Sequence, residues 1–519
     1  MTVERQILSA LGSIGAATLA SRVLGFARDM IVALAFGAGP VTDAFFVAFR
    51  IPNMLRRLLG EGALSTAVVP VFADYAATRS PAEFARMLRA VLGAALLALG
   101  ATTVIGIAAA PWIVRIVAPG FAADPSQAGL AALLTRVMFP YLLLVGLAAL
   151  AMGALNTHGR FFAAALGPAV LNVGMIAAVL ALASRLEPPI LALAAGVLLG
   201  GLGQLLVQVP DLRRLGLLVP PSGELGHPAL ARVARLLLPA VFGLAAVQVT
   251  VFVNTLLASL LPAGSISFLY YADRVMEFPL GVFGIALASA ALPAMSRQAA
   301  AGDLRAVAGT LGFAVRMAVA ITLPATVGLV ILRTPITRVL FERGEFGPAD
   351  TAATAAALGW YAAGLVGFAL ARIVAQAFYA IGAPGTAVKL GLLSVAANVV
   401  AALALMAPLA HGGLALASSI GAYVNVALLL MVARRRFGAL GGRALAASAA
   451  RTAAACAPLA GWCALSLALW PPGARGAAEA AWLAATIAGG AAVFLAAARV
   501  VAAPEYAAVR ETLPLRRRR

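Results

Sequence analysis

"LVGLAALAMGALNTHG", residues 144–159, returns further along the chain as "LVGFALARIVAQAFYAIG", residues 365–382, with a two-residue gap. Each copy is followed by another apolar segment, holding "LNV" at 171–173 in one case and "ANV" at 397–399 in the other. A fainter match pairs "FFVAFR" at 45–50 with "LYYADR" at 269–274, again at an offset of about 225 residues. An apolar run of about 20 residues has the length of a bilayer-spanning helix. Roughly six such helices fit into the offset, an even number, so the two copies cross in the same direction. They read as parallel repeats related by an axis along the membrane normal, an arrangement whose substrate site lies between the halves.

Composition agrees with a membrane setting. Of 519 residues, 63% are hydrophobic and 11% charged, with a mean hydropathy of +1.00, whereas soluble domains carry about 25% charged residues. The net charge of +19 does not point to nucleic acid, because nucleic-acid binders gather basic residues on a soluble domain and no soluble stretch here is long enough. It serves topology, lipid headgroups or an anionic substrate. Cys456 and Cys463 share one apolar segment, which gives no disulfide framework, and no Cys/His cluster has metal-site spacing. His158, His227 and His411 sit near predicted loops in ordinary structural settings. With neither a hydrolase or kinase constellation nor a Walker-type glycine loop, no cofactor is expected and the chain does not read as an enzyme.

The expected fold is an all-α polytopic membrane protein of about 14 transmembrane helices, two parallel six-helix lobes around a central cavity plus two C-terminal helices. The spans centre near residues 20, 58, 98, 141, 172, 198, 246, 283, 320, 365, 397, 422, 458 and 490. The corresponding domains are an N-terminal lobe at 1–208, a cytoplasmic linker at 209–230, a C-terminal lobe at 231–436, and a final helix pair with a basic tail at 437–519. Basic residues mark cytoplasmic loops. Arg79, Arg86 and Arg89, Arg213 and Arg214, Arg297 and Arg305, "ARRRFG" at 433–438 and the closing "LRRRR" all fall on one face, which is therefore cytoplasmic and holds both termini. The opening "ILSALGSIGAATLA" is read as a retained helix, since cleavage there would leave thirteen spans and misplace the basic loops.

Charges inside the spans are the anomaly. A charge at mid-bilayer costs about 2.5–3.5 kcal/mol even on the lenient insertion scale. Yet Asp273, Arg274 and Glu277 lie within five residues of one apolar segment, "YYADRVMEFPLGVFG" at 270–284. The first helix carries Arg22, Arg28 and Asp29, and the second carries Asp43, Arg50, Arg56, Arg57 and Glu61. Arg50 and Arg57 lie two turns apart almost in line, and Asp273 and Glu277 form an i,i+4 pair. Pro52 and Pro279 loosen their helices near the charges, which is tolerated where backbone lines water. A hydrated cavity with an arginine excess suits an anion of phosphate geometry, because guanidinium binds phosphate through paired hydrogen bonds and stays charged when desolvated. The glycine series "GVLLGGLG" at 196–203 reads as a close helix-packing surface.

"SRVLGFARDMIVALAFGAGPVTDAFFVAFRIPNMLRRLLGEGALSTAVVP" at 21–70 and "YYADRVMEFPLGVFGIALASAALP" at 270–293 closely resemble the MurJ (MviN) family of lipid II flippases. That family lies within the multidrug/oligosaccharidyl-lipid/polysaccharide (MOP) exporter superfamily, and the resemblance covers nearly the whole chain. It implies a multi-pass protein of the bacterial cytoplasmic (inner) membrane that moves lipid II, the undecaprenyl-pyrophosphate-linked disaccharide pentapeptide, to the periplasmic leaflet for peptidoglycan synthesis. The family's required cavity arginines fall on Arg22, Arg28, Arg56 and Arg274. Asp29, Asp43, Arg50, Arg57, Asp273 and Glu277 stand in supporting roles, Arg50 replacing a lysine common in the family. The last two helices correspond to a groove for the lipid tail. Implied partners are lipid II, membrane lipids and cell-wall synthesis proteins.

The mechanism expected is alternating access, driven by the membrane potential or an ion gradient. Two rivals are a drug/cation antiporter of the same superfamily, which calls for a carboxylate-dominated cavity, and a non-transporting scaffold for cell-wall enzymes, in which intramembrane charges only join helices.

Overall fold

In a computed structural model, residues 3–56, 64–471, 473 and 475–501 are described. All of the regular secondary structure among them is helical. The chain forms two compact units, one of residues 1–267 with 343–346, the other of 268–342 with 347–519.

Unit 1 contains α1 (Val3–Phe36), α2 (Pro40–Arg56), α3 (Leu64–Thr78), α4 (Pro81–Val117), α5 (Pro125–Met138), α6 (Tyr141–Thr157), the single turn α7 (Phe162–Ala165), α8 (Gly167–Leu182), α9 (Leu191–Leu206), α10 (Val209–Arg214) and α11 (Pro228–Ser259). α12 (Ser265–Pro279) starts in unit 1 and continues into unit 2. There it passes through a π-helical turn, Leu280–Gly284, into α13 (Ile285–Ala300). α14 (Leu304–Phe341), α15 (Pro348–Ala363), α16 (Leu365–Ala380), α17 (Pro384–Phe437), α18 (Gly442–Ala468) and α19 (Ala477–Val500) follow.

Local chemistry sets the helix starts. Ser80 Oγ accepts from Glu83 N with Pro81 in the first helical position of α4, and Asp124 accepts from Ser126 N and Gln127 N with Pro125 opening α5. Asp303 caps α14 in the same way, through Ala306 N. Each cap satisfies an amide that the first helical turn leaves without an internal partner, and proline in the first turn has no amide to lose.

The order of elements repeats. A 37-residue α4 is followed by α5 and α6; a 38-residue α14 is followed by α15 and α16, a pair bent by 42°. The bend sits at Gly364, where a Cβ would stand 2.3 Å from Ser419 Oγ. α8 and α9 then find their counterpart in α17. At 54 residues α17 would measure about 81 Å if straight, well beyond the ~30 Å hydrocarbon core, and it breaks at Ala410, where φ is 47° and ψ −130°. Asn398 Nδ2 donates to Ser418 Oγ across the fold-back, and Gly421 leaves only enough room for Asn398 Cβ. The spans expected at 397 and 422 are these two arms. α8 and α9 touch through glycines: a Cβ on Gly174 would lie 2.7 Å from Gly200 Cα, and one on Gly196 2.7 Å from Met175 Cα. The surface read from 196–203 is a backbone-to-backbone contact.

Six described helical stretches are each long and apolar enough to cross a bilayer, and the bent α15–α16 pair makes a seventh candidate. Of the span expected at residue 58, the stretch 57–63, with Arg57 and Glu61, lies outside the described residues, as does the basic tail from 502 onward. In unit 1, Phe72 of α3, Met87 of α4, Leu155 of α6 and Val233 of α11 pack into one core; in unit 2, Met295 of α13, Leu311 of α14, Phe378 of α16 and Leu429 of α17 form another. α11 thus packs with unit 1, so the compact units divide later in the chain than the repeat boundary expected at 209–230. The first division reports packing, the second sequence repetition.

α18 and α19 pack together and on α14. Trp462 Nε1 donates to Thr486 O, Arg338 of α14 bonds Glu479 at the start of α19, and Arg338 lies over the Trp470 ring. Cys456 and Cys463 are buried free thiols.

Candidate substrate-binding site

Within unit 1, α1 lies along α8, and Arg28 is the side chain that joins them. Its Nε and Nη2 donate to Asp29 Oδ1 at 3.0 and 2.6 Å, and its Nη1 donates to Asn172 Oδ1 on α8 at 3.1 Å. Asn172 Nδ2 in turn donates to Ser21 O at 3.2 Å. Gly25 faces the Asn172 amide, where a Cβ would stand 3.4 Å away in ordinary van der Waals contact. Arg28 and Asp29 are 7% and 1% exposed. A buried carboxylate beside a guanidinium is the expected neutralised arrangement. Arg22, about two turns earlier on α1, is exposed.

On α2, Asp43 is buried and takes three hydrogen bonds: Gly264 N at 2.6 Å, Ser267 N at 2.8 Å and Ser267 Oγ at 2.6 Å. It thereby caps the start of α12, placing a carboxylate where helix amides and the macrodipole favour one. Arg50 donates to Thr255 Oγ1 of α11, and that hydroxyl donates to Val251 O. Arg56 closes on its own helix, donating from Nε and Nη2 to Asn53 Oδ1 at 3.1 and 3.0 Å.

In unit 2, Arg274 is part-exposed; its Nη1 donates to Glu277 Oε2 at 3.1 Å and its guanidinium lies 5.8 Å from the Tyr270 ring centroid. Asp273 and Glu277 share a helix face but carry like charge, and the contact formed joins Glu277 to Arg274, three residues away. Two residues after Glu277, at Pro279, the regular helix ends and the π turn begins. Proline supplies no amide to the ladder, and π turns recur at functional sites.

Arg372 is a charge within the apolar helices that the sequence reading does not single out. Arg372 stands exposed in the middle of α16, and among the described residues it has no hydrogen bond or ion pair. Its signal was legible as the one charged residue in "LVGFALARIVAQAFYAIG". Asn172 marks the repeat in the sequence, and only the fold gives its side chain a role. Among the described residues, no group of three His, Cys, Asp or Glu side chains is placed to hold a metal ion.

The family described as "Lipid II flippase MurJ" matches residues 32–477. A "Probable lipid II flippase MurJ" of Vibrio cholerae serotype O1 is 38% identical over 436 residues, covering 83% of each chain. The chain belongs to the MurJ family. A "Lipid II flippase MurJ" of Burkholderia cenocepacia is 37% identical over 434 residues, 83% of this chain and 84% of that one. A solved structure titled "Lipid II flippase MurJ, inward closed conformation" superposes with a TM-score of 0.79 at 23% identity, over 94% of this chain and 98% of its own. An inward-facing multidrug resistance MATE transporter of the MOP superfamily follows at a TM-score of 0.64 and 17% identity, over 81% and 96%. The fold is that of MurJ and MATE transporters: all-α, polytopic, in a bacterial inner membrane. Asp43, Arg50, Arg56, Asp273, Arg274 and Glu277 fall inside the MurJ-matched residues; Arg22, Arg28 and Asp29 precede them.

Proposed function

We infer that this protein is a transporter that flips lipid II from the cytoplasmic to the periplasmic leaflet of a bacterial inner membrane. The observation that carries the reading is the near-full-length relationship to proteins named lipid II flippases. The charged side chains inside the spans supply a matching chemistry. Arg22, Arg28, Arg56 and Arg274 are proposed to hold the pyrophosphate through charge-assisted hydrogen bonds, while Asp29, Asp43, Arg50, Arg57, Asp273 and Glu277 hold those arginines or the helices that bear them.

The transport scheme is alternating access by an N-terminal lobe at 1–208 and a C-terminal lobe at 231–436, joined through a linker at 209–230, with the prenyl tail left in lipid beside the helix pair after 437. Both termini are placed in the cytoplasm by the basic loops. Each negative charge moved outward against an inside-negative potential gains about 2.3 kcal/mol per 100 mV, so the potential drives export and returns the empty cationic cavity. Proteins of cell-wall synthesis are the partners this role entails.

The test is leaflet-resolved labelling of lipid-linked precursor in cells depleted of the protein and complemented with variants. Wild type restores outer-leaflet precursor; Arg274→Ala, folded and present in the membrane, does not. Full complementation by Arg274→Ala would remove the arginine from the mechanism. Unchanged precursor export on depletion would remove the flippase reading itself.

A further inference from the structure

A cavity of about 620 Å³ opens in unit 2 where the last turns of α17 meet the first turns of α18. Leu430, Met431, Leu440 and Leu445 give it apolar walls, and Arg434 and Arg435 also line it. None of the residues assigned above to lipid II lines it. The connection between the helices is tight because Gly438 and Gly441 take positive φ values of 85° and 70°, backbone that costs glycine little. With Gly441 at its N-cap, α18 begins without a side-chain cap, which adds the partial positive charge of open first-turn amides.

Among the described residues, no ion pair compensates the positive charge of this cavity. Arg434 and Arg435 are exposed, and among the described residues neither has an ion-pair partner. The sequence contains no Asp or Glu from residue 351 to 478, so neither α17 nor α18 has a carboxylate to offer. Met431, one turn before Arg435, is 53% exposed. The cavity therefore sits where an apolar membrane helix gives way to "ARRRFG", with one end suited to hydrocarbon and the other to an anion.

We propose that this cavity is a binding site for one anionic phospholipid of the bilayer, its phosphate on Arg434 and Arg435 and an acyl chain along Leu430, Met431 and Leu445. A soluble anion would leave the leucine and methionine walls uncovered, and a zwitterionic lipid brings no net charge to match the two guanidinium groups. Basic pockets between membrane helices at the headgroup level select anionic lipids for this reason. A lipid held there bridges the end of α17 to the start of α18, and so ties the C-terminal helix pair to the rest of unit 2.

The experiment is native mass spectrometry of the delipidated full-length protein titrated with phosphatidylglycerol, with phosphatidylcholine of the same acyl chains, and with undecaprenyl pyrophosphate. Wild type is expected to hold one phosphatidylglycerol about tenfold more tightly than phosphatidylcholine. Two independent changes should abolish that preference or that adduct: the double variant Arg434→Gln/Arg435→Gln, which removes charge, and Met431→Trp, which fills the groove and keeps the arginines. Both alter exposed side chains, and thermal melting confirms that each is folded. Equal retention of phosphatidylglycerol by both variants, equal affinity for the two phospholipids in wild type, or binding of undecaprenyl pyrophosphate alone at this site overturns the proposal.

Discussion

Removing the guanidinium of Arg28 leaves the Asp29 side chain, 2% exposed, as a buried carboxylate without its arginine, and strips Asn172 Oδ1 of its donor. Breaking a buried pair from one side costs about 3–5 kcal/mol. Arg28→Ala should therefore lower the melting temperature of the purified protein markedly. Arg274 and Glu277 have side chains 32% and 48% exposed, a setting in which an ion pair contributes about 0–1 kcal/mol, so Arg274→Ala should melt close to wild type. Comparable melting of the two variants would refute this contrast. The consequence for function is direct: loss of transport in Arg28→Ala mixes folding with chemistry, whereas Arg274→Ala separates a flippase from a scaffold. The repeat adds a second residue-scale contrast. Asn172 and Asn398 occupy equivalent places in "LNV" and "ANV", yet Asn172 accepts from Arg28 while Asn398 reaches Ser418 across a helix break.

At the scale of elements, two contacts make firm predictions. The first is α8 on α9. A Cβ on Gly200 would approach Leu171 Cα to 2.8 Å, and neither backbone can yield without moving a whole helix. Gly200→Leu should destabilise unit 1 by about 1–3 kcal/mol or more, read as a lowered melting temperature; an unchanged one would mean that the two helices part freely. The second is the stretch from α10 to α11, which is pinned to α4 by Ser222 N donating to Arg89 O and by Arg86 pairing with Glu224 at 2.5 Å. Hydrogen bonding to Arg86 holds the Glu224 carboxyl below its ordinary range. A depressed carboxylate contributes fully above its unfolded-state pKa, and that contribution is lost as pH falls through the lower folded-state value. The pair is solvent-exposed, so salt also screens it. Amide exchange across 215–227 should stay slow at neutral pH in low salt, and should speed up both on acidification below the usual carboxylate range and at high ionic strength. Exchange indifferent to pH and salt would show that the Arg86–Glu224 pair does not hold the segment.

At the scale of the whole molecule, the proposed driving force is testable without any mutation. Export of a pyrophosphate-bearing headgroup gains from an inside-negative potential and the reset of an empty cationic cavity gains from it too. Dissipating the potential in intact cells should halt the appearance of precursor in the outer leaflet within the time that wild-type cells turn it over. Continued export after dissipation would require another energy source.

The sequence alone determined the membrane class, the repeated halves, the glycine contact at 196–203 and the presence of arginines within spans. Each follows from a local cost that holds wherever the chain goes: apolar length matched to hydrocarbon, glycine allowing close backbones, charge penalised in lipid. Tertiary structure decided which side chains each described charge meets. Arg28 became a buried tie because α8 brought Asn172 to it, Asp43 became a cap because the start of α12 lay opposite, and Glu277 met Arg274, three residues before it. Arg372 stood in plain view of the repeat, but only its exposure on a packed α16 marked it as unspent. A side chain's partner is set by elements distant in sequence, and the energy of a buried charge depends on that partner more than on the charge itself.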